Sequence, residues 1–285
     1  AYHIPCDEIN SLLRDRFNNI WLGSIGGGVL MIDTKQPPFA SYSLNLAEDD
    51  VPTTAVRALF ADSDKDLWLG TGSYGLARKD YKTGVLSFFS HIPEFSDIPG
   101  VPTINYIIQR KNGEVWFATY DGGILIYKKG EKVKVLTESD TPYLYSDCVS
   151  ALCEDSKGNC WVGCRGGMGI SLADGGHYRF GTLSFAGGGL ADWYHVKDIV
   201  EDADGSIWIA TANCGIIHIM GEVQHPETLK YSNYSYNNGR LATNSVLCLH
   251  VDKSGRLWAG TEGGGLYLYD YKENVFTEKN QEYQL

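Results

Sequence analysis

Positive charge is scarce in this chain: 24 Lys and Arg stand against 35 Asp and Glu, a formal net charge of −11. A nucleic-acid backbone demands a basic face, so that partner is excluded for this chain. No apolar run comes near the roughly 18 residues a membrane-crossing helix needs. Proline is sparse, at 9 residues. There is no initiator Met before Ala1 and no signal peptide, and a mature or excised piece of a longer chain is expected. Seven cysteines is an odd number, which excludes a fully paired disulfide framework within one chain. A serine nucleophile elbow, an H-E-x-x-H motif and a P-loop are all missing. No two of the 7 histidines sit at helical i, i+4 metal spacing, and His218 and His250 read as satisfied polar residues on strands.

What is abundant is glycine, 33 residues, and a tryptophan ladder. Trp21, Trp68, Trp116, Trp161, Trp208 and Trp258 follow one another at intervals of 47, 48, 45, 47 and 50 residues. Each lies in the same local phrase, VEDADGSIWIATANCGIIHI in the fifth repeat and HVDKSGRLWAGTEGGGLYLYD in the sixth. A fixed period of this length is the signature of a repeat architecture.

Within a repeat, Asp15, Asp62, Asp155, Asp202 and Asp252 stand six residues before the Trp, with Arg110 in the third repeat. Gly113, Gly158, Gly205 and Gly255 stand three before it, with Asn18 and Lys65 in the first two. Asp followed by Gly or Asn is turn chemistry, so D-x-x-G joins two strands. Two residues after the Trp is always Gly or Ala, which implies close approach of a neighbouring backbone. A glycine-rich second turn and a third strand follow, and an aromatic (Tyr42, Phe88, Phe185, Phe276) marks a fourth. Four antiparallel strands per repeat in tandem make a propeller blade. The predicted fold is therefore all-β, a β-propeller of six recognisable four-stranded blades over residues 1–285 as one domain. It is either six-bladed or part of a seven-bladed or longer array.

Aligning the repeats on the Trp explains other patterns. Cys153, Cys160 and Cys164 fall where other repeats carry Phe60, Leu67 and Thr71, so core packing is the first reading, disulfide pairing the second and zinc the last. Gly70-Thr-Gly72-Ser-Tyr-Gly75 fits G-x-G-x-x-G, but a strand rather than a helix follows, so it reads as a hairpin turn. Asp62, Asp64 and Asp66 lack the glycine and distal Glu of a calcium loop. No metal and no cofactor is expected.

The phrase V-x-x-I-x-x-D-x-x-G-x-[LI]-W-[IL]-G-T-x-x-G-G-[LI]-x-x-[YF]-[DN] resembles the two-component regulator propeller repeat. Val251-Asp252, Gly255, Leu257-Trp258, Gly260-Thr261, Gly264-Gly265-Leu266 and Tyr269-Asp270 match it closely. The fourth repeat departs at Cys164 and, on this reading, by one inserted residue before Gly169. The resemblance covers essentially the whole chain. It implies the periplasmic sensor region of a Bacteroides-type hybrid two-component system, the extracytoplasmic part of an inner-membrane protein. In that family two seven-bladed propellers precede a β domain, a membrane helix and a histidine kinase, often with a DNA-binding regulator behind. It further implies recognition of a polysaccharide-derived oligosaccharide, signalling to carbohydrate-utilisation genes, and homodimers formed through neighbouring domains. On this reading the fragment itself is not an enzyme.

Strand alternation puts the D-x-x-G turns on one face, and the second turns and blade-to-blade linkers on the other. Variable loops on a rigid scaffold are where binding normally resides. The candidate ligand-binding residues are Tyr74, Tyr120, Asp121, Arg165, Trp193, Tyr194, Asn213 and Glu262. Aromatic rings there, Tyr143 and Tyr145 among them, would stack on sugars, and the polar groups would supply directional hydrogen bonds. Trp193 and Tyr194 read equally well as packing at the start of the fifth repeat. The competing class is a propeller lyase or glycosidase, since streptogramin lyases have broadly similar Trp-bearing repeats. It would need a convergent His/Glu or carboxylate pair at the channel, where Asp198, Glu201, Glu154 and His250 show no evident pairing.

Overall fold

A computed structural model of the chain describes residues 9–15, 19–24, 28–32, 40–42, 55–72, 75–100, 102–180, 182–184, 190–192, 195–225 and 228–280. Among these, six sheets have four antiparallel strands each, hydrogen-bonded in sequence order. The fold is an all-β propeller. Blade one comprises Ile9–Arg14, Ile20–Ser24, Gly28–Ile32 and Ala40–Tyr42. Blade two comprises Val56–Ala61, Leu67–Thr71, Leu76–Lys79 and Leu86–Phe88, and blade three Ile104–Gln109, Val115–Thr119, Ile124–Tyr127 and Lys134–Leu136. These lie in one compact unit, Ala1–Leu136. The second unit, Thr137–Leu285, holds the other three. Blade four is Val149–Glu154, Cys160–Cys164, Gly167–Ser171 and His177–Phe180; blade five is Val196–Glu201, Ile207–Thr211, Ile216–Met220 and Lys230–Tyr234; blade six is Val246–Val251, Leu257–Thr261, Gly265–Asp270 and Val275–Glu278. The marker Phe185 lies outside the described residues; the fourth strand of blade four is His177–Phe180, and a separate hairpin, Thr182–Ser184 with Leu190–Asp192, follows it.

The Asp of each D-x-x-G turn does two jobs. One carboxylate oxygen caps the turn, as Asp155 Oδ1 does by accepting the Asn159 amide at 2.8 Å. The other accepts the indole N–H of the same repeat's Trp. That bond is 3.0 Å for Asp15–Trp21, 2.7 Å for Asp62–Trp68 and 3.0 Å for each of Asp155–Trp161, Asp202–Trp208 and Asp252–Trp258. The large ring can then be buried without orphaning its polar atom. Blade three lacks the Asp and keeps the bond by another route. Trp116 donates to Glu114 at 3.0 Å, and the Arg110 guanidinium sits 4.8 Å from the Trp116 ring centre. Trp68, Trp161 and Trp208 are fully buried.

The small residue two places after each Trp explains how neighbouring blades fit. A Cβ on Gly70 would come within 2.7 Å of Ile104, the first residue of blade three. Val196 closes the same space at Gly163, and Val56 does so at Gly23. Val56, Ile104 and Val196 are completely buried, as is Val246 beside Ala210. The second unit is further tied by Asp198, whose carboxylate accepts the Ile199 amide and, across to blade six, the Leu249 amide at 2.8 Å.

Repeat four carries no insertion. Its second turn is one residue shorter, because Gly163 pairs with Met168 whereas Gly70 pairs with Leu76 and Gly260 with Leu266. Gly167, not Gly169, therefore fills the place of Gly75 and Gly265. Gly169 is instead required by the linker, since a Cβ there would overlap the Tyr143 carbonyl.

Asp202→Ala should lower stability by about 2–4 kcal/mol, because the buried Trp208 N–H and the Tyr271 hydroxyl both lose their acceptor. Asp252→Ala, beside the partly exposed Trp258, should cost less. Urea midpoints check both. His218 stacks on Trp208 at 3.6 Å and contacts Ser206 Oγ at 2.8 Å, and burial pushes its pKa down to about 4. The unfolded state, with the usual value of 6.5, then takes up the proton first. The stability from neutral His218 is complete above about pH 6.5 and is lost as pH falls toward 4. His218→Gln should flatten that slope in urea unfolding, leaving the part due to His195.

Candidate ligand-binding face

The second turns are built alike. In blades two, three, five and six the residue after the small one is Thr71, Thr119, Thr211 or Thr261. Its hydroxyl donates to the carbonyl of Gly75, Gly123, Gly215 or Gly265 at 2.8–3.0 Å. In blades three and five the same oxygen also accepts the amide of Gly122 or Cys214. This closes the turn from inside. The next residue reaches outward with its backbone. Gly72, Tyr120, Arg165, Ala212 and Glu262 each donate an amide to the carbonyl just ahead of the same blade's first strand: Ala55, Thr103, Cys148, His195 and Ser245, at 2.9–3.0 Å. One hydrogen bond, repeated in five blades, therefore ties the residue ahead of the first strand to the second turn of the same blade. In each of the six blades a β-bulge follows directly, at the second residue of the first strand. Bulges of this kind re-aim side chains next to sites.

Tyr120 and Asp121 share one exposed turn, with Tyr120 at 51% exposure. Arg165, Asn213 and Glu262 are exposed on the corresponding turns of blades four, five and six. Glu262 accepts the Ser245 hydroxyl at 2.8 Å, which ties the turn to its linker a second time. Tyr74, Trp193 and Tyr194 lie outside the described residues. Tyr145 has its ring against Gly166 and Gly167, so part of its surface is already covered.

Sequence reasoning missed His195 and Lys197. Burial, with the charges of Lys197 and Arg165 added, pushes His195 down to about 4, so it is neutral at pH 7 beside two cations. Lys197 is the bulged residue of blade five. The signal was a polar residue, Arg57, Asn105, Ser150 or Lys197, second in an otherwise apolar strand start.

Two of the carboxylates that a channel site could draw on, Asp198 and Glu201, are held by hydrogen bonds within the scaffold. Asp198 bridges two blades through backbone amides. Glu201 accepts the Ser156 amide and hydroxyl. His218 lies buried under Trp208. In repeat four, Cys160 and Cys164 are buried in the second strand, filling core places. The Cys153 thiol is pushed up to about 12 by burial and by Asp198, which disfavours the thiolate that zinc requires.

These features define a propeller assembled from repeats that share their turn hydrogen bonds while their linkers vary in sequence. The family model described as two component regulator propeller matches residues 3–26, 50–73, 146–166, 192–213 and 240–263. The chain thus carries two-component regulator propeller repeats, on blades one, two, four, five and six. The third repeat, with Arg110 for Asp, lies outside the matched stretches. No curated protein matches the chain.

Among solved structures, the chain is similar to the extracellular domain assigned to a hybrid two component system of B. thetaiotaomicron (21% identity, 96% of this chain and 35% of that one, TM-score 0.72). It is similar to virginiamycin B lyase from Staphylococcus aureus (17%, 95% and 83%, 0.68). It is also similar to PorZ, a bacterial surface component of the type-IX secretion system of Porphyromonas gingivalis (21%, 92% and 38%, 0.65). At these identities the likeness is one of fold. The chain spans about a third of the length of the hybrid two-component domain.

Thr211→Val should cost about 1 kcal/mol, since the Cys214 amide loses its internal acceptor. Hydrogen exchange at that amide should speed up while the blade-five core amides stay protected.

Proposed function

We propose that the chain is the ligand-sensing, extracytoplasmic propeller of a hybrid two-component sensor. It works in the periplasm without catalysis. It recognises a polysaccharide-derived oligosaccharide on the linker face and signals to carbohydrate-utilisation genes, with dimerisation through neighbouring domains. The observation that carries this reading is the repeated amide-to-carbonyl bond that ties the residue ahead of the first strand to the second turn in five blades. It holds turns with side chains of many kinds at one edge of those five blades, which suits recognition better than a single reaction. The repeat family and the two-component neighbour support the same reading. Engagement of Asp198 and Glu201 in backbone and turn hydrogen bonds weighs against the lyase-type alternative.

A glycan array followed by calorimetry tests it. An oligosaccharide should bind saturably with no product formed. Arg165→Ala should weaken that binding by about tenfold, the loss expected for one charge-assisted hydrogen bond. Lys157→Ala, on the opposite turns, should leave it unchanged. Turnover of a bound sugar by the pure chain would overturn the sensor reading, and absence of glycan binding would overturn the oligosaccharide.

A further inference from the structure

Blades two, three, five and six each offer one third-strand side chain to the Trp of the preceding blade, and in blade two that side chain is a lysine. Eleven residues after the Trp stand Tyr127 in blade three, Ile219 in blade five and Tyr269 in blade six. Tyr127 meets Trp68 with ring centres 5.0 Å apart, Tyr269 meets Trp208 at 4.6 Å, and Ile219 joins the cluster around Trp161. The same position in blade two is Lys79, whose ammonium lies 5.9 Å from the Trp21 ring centre. Between blades one and two there is consequently a cleft of about 580 Å³. The matching space between blades four and five, closed by Ile219 and Val223, is about 10 Å³.

A second departure from the repeat points into the same cleft. Blades three to six place Gly113, Gly158, Gly205 and Gly255 at positive φ, but blade two has Lys65 there, at φ 77°. A lysine in this left-handed backbone is strained by about 1–2 kcal/mol, and such an outlier suggests a function. Its ammonium sits 4.7 Å from the centre of the Tyr81 ring. Arg14 lines the cleft as well. The three carboxylates in its wall already accept turn donors. Asp15 takes Asn19 and Trp21, Asp62 takes Asp66 and Trp68, and Asp80 takes Lys82 and Thr83. In this cleft Lys79 faces the Trp21 ring and Lys65 the Tyr81 ring, with Arg14 in the same wall as the three carboxylates.

We propose that this cleft binds an anionic sugar, its ring against Trp21 and Tyr81 and its carboxylate or sulfate among Lys79, Lys65 and Arg14. The volume suits a mono- or disaccharide. The cleft lies on the D-x-x-G side of the blades, away from the linkers, so the assignment stands whether or not those linkers take an oligosaccharide.

Calorimetric titration of the 285-residue chain with galacturonic acid, galactose and inorganic sulfate tests this. Galacturonate should bind, and more weakly as salt is raised. Galactose, with the ring but no carboxylate, and sulfate, with charge but no ring, should each bind about tenfold more weakly or worse. Lys79→Tyr restores the ring found in blades three and six and should abolish binding in a folded protein. Lys65→Gly restores the glycine of the other blades and should weaken binding about tenfold without lowering the melting temperature. No galacturonate binding, equal binding of galactose or sulfate, or undiminished binding by folded Lys79→Tyr would each overturn the proposal.

Discussion

The bond from the Trp indole to the turn aspartate is the interaction on which the rest depends. A buried indole N–H needs an acceptor, and a carboxylate buried beside it needs donors. The D-x-x-G turn meets both needs at once, with one oxygen holding the backbone of the turn and the other holding the ring. The ring orientation is thereby set relative to the first hairpin of every blade. Blade three shows that the constraint lies in the bond rather than in the aspartate. With Arg110 at the usual position, Glu114 supplies the acceptor from two residues away and the guanidinium covers the ring.

A fixed Trp makes the next contact specific. The ring packs against the following blade's third strand within each unit, and the small residue two places on accepts that blade's first buried side chain. Close packing leaves little tolerance at either contact, so a change at one repeat position alters a defined place. Ring, aliphatic side chain or lysine at the eleventh position after the Trp decides whether the space between blades is filled or open. On the opposite edge the threonine clamp and the linker bond hold constant geometry while the linkers vary, which separates scaffold from recognition surface within a single repeat.

Much of this was legible because repetition supplies its own comparison. The Trp register placed the strands, the turns, the small-residue contacts and the core positions of Cys160 and Cys164. It also sorted the residues on the two edges, and Tyr120, Asp121, Arg165, Asn213 and Glu262 stand exposed on the second turns. The fourth repeat misled, because an alignment of letters cannot tell an inserted residue from a shortened turn when Gly167 and Gly169 compete for one place. Strand pairing and the Tyr143 carbonyl distinguish them. His195 and Lys197 were not found because their importance comes from a bulge and from a neighbour on another blade.

The sequence by itself determined the blade, its period and its chemistry. Those depend on contacts within about a dozen residues, a turn closed by its own Asp and a Trp six residues on. Only the tertiary structure decided what lies between blades: that Asp198 bridges to Leu249, that His195 stays neutral beside Arg165 and Lys197, and that Lys79 stands where a ring would otherwise close the space over Trp21. Such contacts join residues tens of positions apart. Their consequence, burial or opening, depends on packing volumes that no single repeat contains.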